Sequence, residues 1–240
     1  MNNRRALIAA IVAGALLVGA AGIGIVYFVV FAGSSPQKLA LSSPTPSTSA
    51  SAASSASTLG PGTWTVTSGS QAGYRVREQL ASLPAPSDAV GRTSAVTGTM
   101  TLAQSASGYT VTTASFTVDV SKLTSDQSRR DQRIHSQGLE SDRFPTATFQ
   151  LTTPIAVVAD AAGGQTIHVS ATGVLTLHGV AKTVTIPIDA RFTGSKIELV
   201  GSITFPFSQF GMTPPSIGGF VTVQDNATME FQLELVQQGA

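Results

Sequence analysis

Arg129, Arg130 and Arg133 crowd one short polar segment and are the side chains best equipped here for chemistry. A guanidinium is a planar fork of N–H donors that matches the oxygens of a phosphate. At the mouth of a cavity the three would hold a phosphate-bearing head group, and Arg92 is a fourth candidate with fewer neighbours to help it. Asp126 and Asp131 stand close enough in sequence to neutralise them. A solvated helix held by internal ion pairs is therefore the competing reading.

Other chemistries find less. His135, His168 and His178 are too scattered for a metal motif. The last two share one strand face and, about ten residues apart, would lie roughly 33 Å from each other in extended chain. No carboxylates form a pair fit for acid–base work, and no Gly-x-Ser-x-Gly occurs. Without cysteine there are no disulfides, thiolate metal sites, cysteine nucleophile or lipidated N-terminal cysteine. With 14 basic and 13 acidic residues the formal net charge is +1, and no basic face offers nucleic acid a footing. Asn226-Ala227-Thr228 is a glycosylation sequon whose meaning depends on the host, and it is read as incidental. Neither a catalytic set, a metal site nor a cofactor is expected.

The elements that position these residues begin with a membrane segment. Ala6 to Ala32 carry no charged side chain and follow Arg4 and Arg5 directly. About 20 apolar residues in a helix cross a hydrocarbon core about 30 Å thick, so the stretch is long enough to span with tilt. It exceeds the roughly 7–15 apolar residues of a cleavable signal peptide, although Ala32-Gly33-Ser34 is weakly cleavage-like. An uncleaved single-pass anchor is expected over residues 1–33. Positive charge stays on the cytoplasmic side, which places the C-terminal part outside the cytoplasm.

Residues 34–61 are dominated by Ser, Ala, Thr and Pro, with no charge after Lys38. Such a segment buries too little apolar area to offset ordering entropy and reads as a flexible tether. About 28 residues of it give a root-mean-square span of roughly 30 Å. Residues 62–240 then suit one domain with a substantial core, and show no internal repeat.

The domain has period two almost throughout. Ile167, Val169, Ala171, Gly173, Leu175 and Leu177 alternate with polar residues in one long strand, where Gly173 permits a bend or a close approach. Similar runs follow Val184–Ala190, Ile197–Phe205 and Met229–Leu235, and earlier candidates are Trp64–Ser68, Tyr74–Leu80, Thr93–Ala103, Tyr109–Val120 and Thr146–Thr152. Many strands with one apolar face each imply a closed antiparallel barrel or a two-sheet sandwich. The arginine-bearing segment from Leu123 to Leu139 lacks that alternation. It reads as a short helix capped by Thr124 or Ser125 that connects two strands over a barrel end.

The blocks Val118-Asp119-Val120-Ser121-Lys122-Leu123-Thr124-Ser125-Asp126, Arg129-Arg130-Asp131, Phe144-Pro145-Thr146-Ala147-Thr148-Phe149 and Gly173–Val184 together resemble the YceI-like family. Trp64, Tyr74-Arg75-Val76, Gly98 and Phe210-Gly211-Met212 fit as well, so the resemblance covers the whole domain. It implies an all-β, lipocalin-like antiparallel barrel of about eight strands around a long apolar cavity that takes isoprenoid quinones or polyprenyl phosphates. An anchor with a Ser/Thr/Pro tether departs from the secreted form and is typical of actinobacterial-looking relatives. The stretch Leu83 to Arg92 also departs, which leaves one cavity wall or mouth open to revision.

Physical reasoning about such a cavity is independent of the resemblance. A small eight-stranded barrel is either filled by side chains or holds one slender ligand, and alternation does not separate these cases. The expected lining is Phe116, Val118, Phe149, Leu175, Leu177, Val184, Ile186, Ile188, Leu199, Phe231 and Leu233. The expected activity is non-catalytic binding of an isoprenoid lipid, for sequestration or transport at the outer face of the cell membrane. An enzyme acting on such a lipid and a ligand-free interaction module are the rivals. The sequence sets no oligomeric state.

Overall fold

The computed structural model describes residues 35–43, 59–80, 86–217 and 221–239. The chain divides into two units, Met1–Pro36 and Gln37–Ala240. The expected anchor and most of the expected tether lie outside the described residues. Among the described residues no helix is long and apolar enough to cross a membrane.

The second unit is built on twelve described strands in one sheet. They are β1 (Gly62–Val66), β2 (Gln71–Leu80), β3 (Ser87–Thr93), β4 (Val96–Ser105), β5 (Gly108–Asp119), β6 (Thr146–Leu151), β7 (Ile155–Val158), β8 (Ile167–Leu177), β9 (Val180–Phe192), β10 (Lys196–Phe205), β11 (Ser216–Ile217) and β12 (Val221–Gln237). Counting β1–β2, β3–β4 and β6–β7 each as one interrupted run, eight runs make the barrel. β1 pairs with β4 and β2 with β3, so the four are two halves of one long hairpin. β6 and β7 share β5 as neighbour. β12 meets β10 on one edge and β2, then β1, on the other, which closes an all-antiparallel barrel. Along β9 the pairing with β10 covers only Ile188 to Phe192, so Val180 to Pro187 pair with β8 alone.

Local chemistry explains the turns. His178 and Gly179 have φ of 52° and 73°, the two left-handed positions of a tight hairpin between β8 and β9. β3 was not among the expected strands, yet Ser87 to Thr93 pair in register with β2 within the stretch that departs from the family pattern. Its Ala89 is buried on one face, and on the other the charged Asp88 and Arg92 bind side chains of nearby strands. β7 was also not expected: its four residues alternate too briefly to stand out.

The connection between β5 and β6 covers one end of the barrel, as expected. Helix α1 (Ser128–Arg133) continues into a wider turn at Ile134–Gly138. Its N-cap is Gln127 without a side-chain cap, which corrects Thr124 and Ser125. Ser125 is bound instead from inside the helix, where Asp131 Oδ1 accepts from its backbone N–H at 3.0 Å and its hydroxyl at 2.6 Å. Ser141 is fully buried and its hydroxyl bonds His135 Nδ1. Phe144 packs against His178 in a tilted arrangement with ring centroids 4.5 Å apart, and His178 Nε2 lies 2.6 Å from Glu140 Oε2. His178 thus belongs to the turn beyond β8 and not to the strand face it was expected to share with His168.

The interior contains two apolar clusters. One gathers Trp64, Leu102, Phe192, Leu199 and Leu235, with Trp64 and Phe192 edge-to-face at 6.0 Å. The other gathers Val120, Leu177, Val184, Phe205, Phe207 and Phe210 beneath the helical connection.

Candidate functional site

Between and beside these clusters the barrel encloses a cavity of about 140 Å³, on the order of ten times what one water occupies. Strand alternation turns Phe116, Val118, Phe149, Ile188, Ile203 and Phe231 inward, yet all remain only half-buried. Inward side chains in a filled barrel lose almost all exposure. These keep theirs because they border internal space, and all six line the cavity.

Of the expected lining, Phe116, Val118, Phe149, Leu175, Ile186, Ile188, Leu199, Phe231 and Leu233 line the cavity. Leu177 and Val184 do not; both are buried in the cluster around Phe205 and Phe210. Alternation places them on the correct face, but β8 and β9 run past the cavity, and their hairpin end packs against the β5–β6 connection. Leu59, Met100, Val157 and Ile203 line the cavity without having been singled out. Leu59 was assigned to the tether. Instead it is buried, and Tyr109 donates its phenolic O–H to the Leu59 carbonyl at 2.7 Å.

None of the four arginines expected at the head group lines the cavity. Arg130 donates to Glu78 Oε1 at 2.7 Å and to Asp126 Oδ1 at 2.5 Å, the internal ion pairs of the competing reading. Burial works against its charge, but Glu78 and Asp126 outweigh that and hold the guanidinium protonated. Arg133 bonds Gln137 at 3.2 Å and Arg129 is exposed. Arg92 lies on the outer face of β3, where its Nη2 donates to Glu230 Oε1 at 2.9 Å and to the Gln37 carbonyl.

The outer face of β9, β10 and β12 carries a further group of paired charges. Arg191 and Glu230 border the cavity as residues, but their charged ends are bound elsewhere. Arg191 Nη2 donates to Glu198 Oε2 at 2.9 Å and to the Ser42 carbonyl. Glu230 accepts from Arg92 and lies 3.5 Å from Arg75 Nε. Glu198 accepts from the Ser42 N–H and hydroxyl, each at 2.8 Å, and from Gln232 at 2.9 Å. Burial opposes its ionisation, but these donors and Arg191 outweigh it and hold the carboxyl below the ordinary glutamate range. Gln37 to Ser43, part of the stretch that composition assigns to a tether, is thereby bonded to the barrel wall. At the covered end, burial pushes the Tyr74 phenol well above its ordinary range.

The cavity therefore presents apolar carbon and excludes charge. Among the described residues no three His, Asp or Glu side chains gather as a metal site. A slender apolar chain is the ligand that such a wall can take.

The YceI-like domain model matches residues 64–235. The chain belongs to the YceI-like family. The barrel is similar to a polyisoprenoid-binding domain from Saccharophagus degradans implicated in plant cell wall breakdown. The TM-score is 0.53 at 13% identity, over 74% of this chain and 99% of that one. Burkholderia cenocepacia BcnA matches with TM-score 0.48 at 20% identity, over 68% of this chain and 95% of its own. The Campylobacter jejuni YceI protein matches with TM-score 0.42 at 14% identity, over 58% and 80%. Among curated proteins the chain finds no match.

Proposed function

We propose that this YceI-like protein binds the chain of an isoprenoid lipid inside its barrel, for sequestration or transport at the outer face of the cell membrane, without catalysis. The observation that carries this is the set of inward-facing but half-exposed side chains around an apolar cavity. The similar Saccharophagus degradans domain, described as polyisoprenoid-binding, supports the choice of lipid. An anchor at Ala6 to Ala32 would keep the barrel beside its source of ligand, with the domain outside the cytoplasm.

Energetics shape the proposal. Each buried methylene is worth about 0.8 kcal/mol relative to water, so several isoprene units have ample affinity for the cavity. The bilayer is equally apolar, so transfer from it is nearly neutral in hydrophobic terms. Preference must come from shape and from the head group. With the expected arginines bound to carboxylates, side chain or backbone, or exposed away from the cavity, a phosphate gains no evident advantage over a quinone ring, and shape carries the selection.

Mass spectrometry of the organic extract from the purified full chain tests the reading. Recovery of an isoprenoid quinone or polyprenyl phosphate near one per protein is expected. An empty extract, together with no uptake of either lipid from supplied vesicles, would overturn it.

A further inference from the structure

Three cavity-lining phenylalanines each bring their ring close against a glycine of the neighbouring strand. Gly98 pairs with Phe116 and Gly201 with Phe231, while Gly173 stands diagonally from Phe149. A methyl group placed on each glycine would fall 2.5 Å from the ring, at Phe116 Cδ1, Phe231 Cζ and Phe149 Cζ respectively. At Gly201 the ring is the nearest atom to that position, while at Gly98 and Gly173 it shares the space with the Ser115 and Gln150 carbonyls, 2.3 and 2.4 Å away. A ring lying on bare backbone becomes part of the wall, whereas one next to an alanine must tilt toward the centre. The same pairing lets a strongly curved sheet keep aromatic contact across a glycine.

The position of these rings matters as much as their posture. Phe116 packs against the cluster of the hollow half, Phe149 against the filled cluster, and Phe231 against both. Phe116 and Phe149 are direct partners across β5 and β6. The three rings therefore straddle the boundary where open space gives way to packed side chains.

We propose that Phe116, Phe149 and Phe231, laid over Gly98, Gly173 and Gly201, form a floor that fixes how long a linear isoprenoid chain the barrel accepts. This rests on the lipid-binding reading above and adds chain length as the property selected. Shrinking a floor ring deepens the cavity toward the filled cluster. Adding a methyl beneath one raises the floor and shortens it.

The test offers the full chain an equimolar mixture of geraniol, farnesol, geranylgeraniol and longer linear polyprenols, and reads the bound distribution by native mass spectrometry. Phe231→Leu and Phe149→Leu are expected to move the preferred length up by about one isoprene unit. The ratio of longer to shorter alcohol should change on the order of tenfold, the scale set by one or two buried methylenes. Gly201→Ala should move it the other way. Its methyl also meets the Pro187 carbonyl at 2.9 Å, so the two leucine variants decide the matter if the alanine variant does not fold. An unchanged length distribution in both folded leucine variants, with total uptake retained, would overturn the floor alone. No uptake of any length by the parent protein would overturn the lipid-binding reading beneath it.

Discussion

Around Phe205 and Phe210 the barrel interior is filled: the two rings meet edge-to-face at 4.8 Å, and Phe210 is completely buried. Around Phe116, Ile188 and Phe231 the same kinds of side chain face inward and stay half-exposed. Both regions are apolar and both are reached by strict alternation. They differ in what arrives from outside the sheet. The filled half receives Val120, Leu123, Phe207, Phe210 and Met212 from the turns and connections that cover it. The hollow half receives chiefly Leu59 and Ala161, too little volume to occupy the bore. A barrel of one width is thus packed or open according to its end segments, and the strands alone do not decide.

Paired substitutions break or sharpen this contrast. The largest difference is expected between Phe210→Ala and Phe116→Ala. Removing a fully packed ring costs about 3–5 kcal/mol, and Phe116→Ala should cost less than half of that because one side of its ring already faces space. Urea unfolding of the two variants measures it; equal losses would mean the hollow is not real.

Next comes the polar lid over the filled half. Arg130→Met leaves the Glu78 carboxylate without its partner, and should cost about 2 kcal/mol, below the ~3–5 of a fully buried pair because Arg130 keeps some solvent. Adding Glu78→Gln should recover part of the loss in a thermal melt. No recovery would show that the arginine acts through packing alone.

Enlarging a small residue separates the halves in a different way. Ala171 lines the cavity and Ala227 sits in the filled cluster. Ala171→Leu should leave the melting temperature nearly unchanged and cut lipid uptake by roughly tenfold, the effect of removing room for one or two methylenes. Ala227→Leu should destabilise by about 1–3 kcal/mol through overpacking. A reversed pattern would exchange the roles of the two ends.

The smallest effect concerns the outer wall. Because Glu198 is held below its unfolded value, its contribution is present above the ordinary glutamate range near 4.3 and is lost as pH falls through the folded value. Acidification should therefore loosen residues 37–43, which hydrogen exchange would report as faster amide exchange at Ser42. Glu198→Gln should flatten that pH dependence, and an unaltered profile would assign it to another carboxylate, with Asp88 next in line through its bond from Arg77.

Much of this was legible from residue order. Period-two alternation fixed the inward face of β5, β6, β8, β9, β10 and β12, so nine of the named lining residues border the cavity. The segment carrying Arg129 and Arg130 was readable as a helical cover, since charge at helical spacing and missing alternation are local signals. Leu177 and Val184 misled because alternation reports which face a residue occupies and says nothing of its height along the barrel axis. The arginines misled for a related reason: their partners Glu78 and Glu230 are far away in sequence and meet them only through strand pairing.

By itself, then, the sequence determined the all-β character, the apolar inner face and the family, because each depends on local order and on residue type. Whether that inner face closes on itself or stands open was left to the tertiary structure. So was the pairing of Arg130 with Glu78 and of Arg92 with Glu230: ring-against-glycine contacts, end-segment volume and these ion pairs all join positions that only the closed sheet brings together.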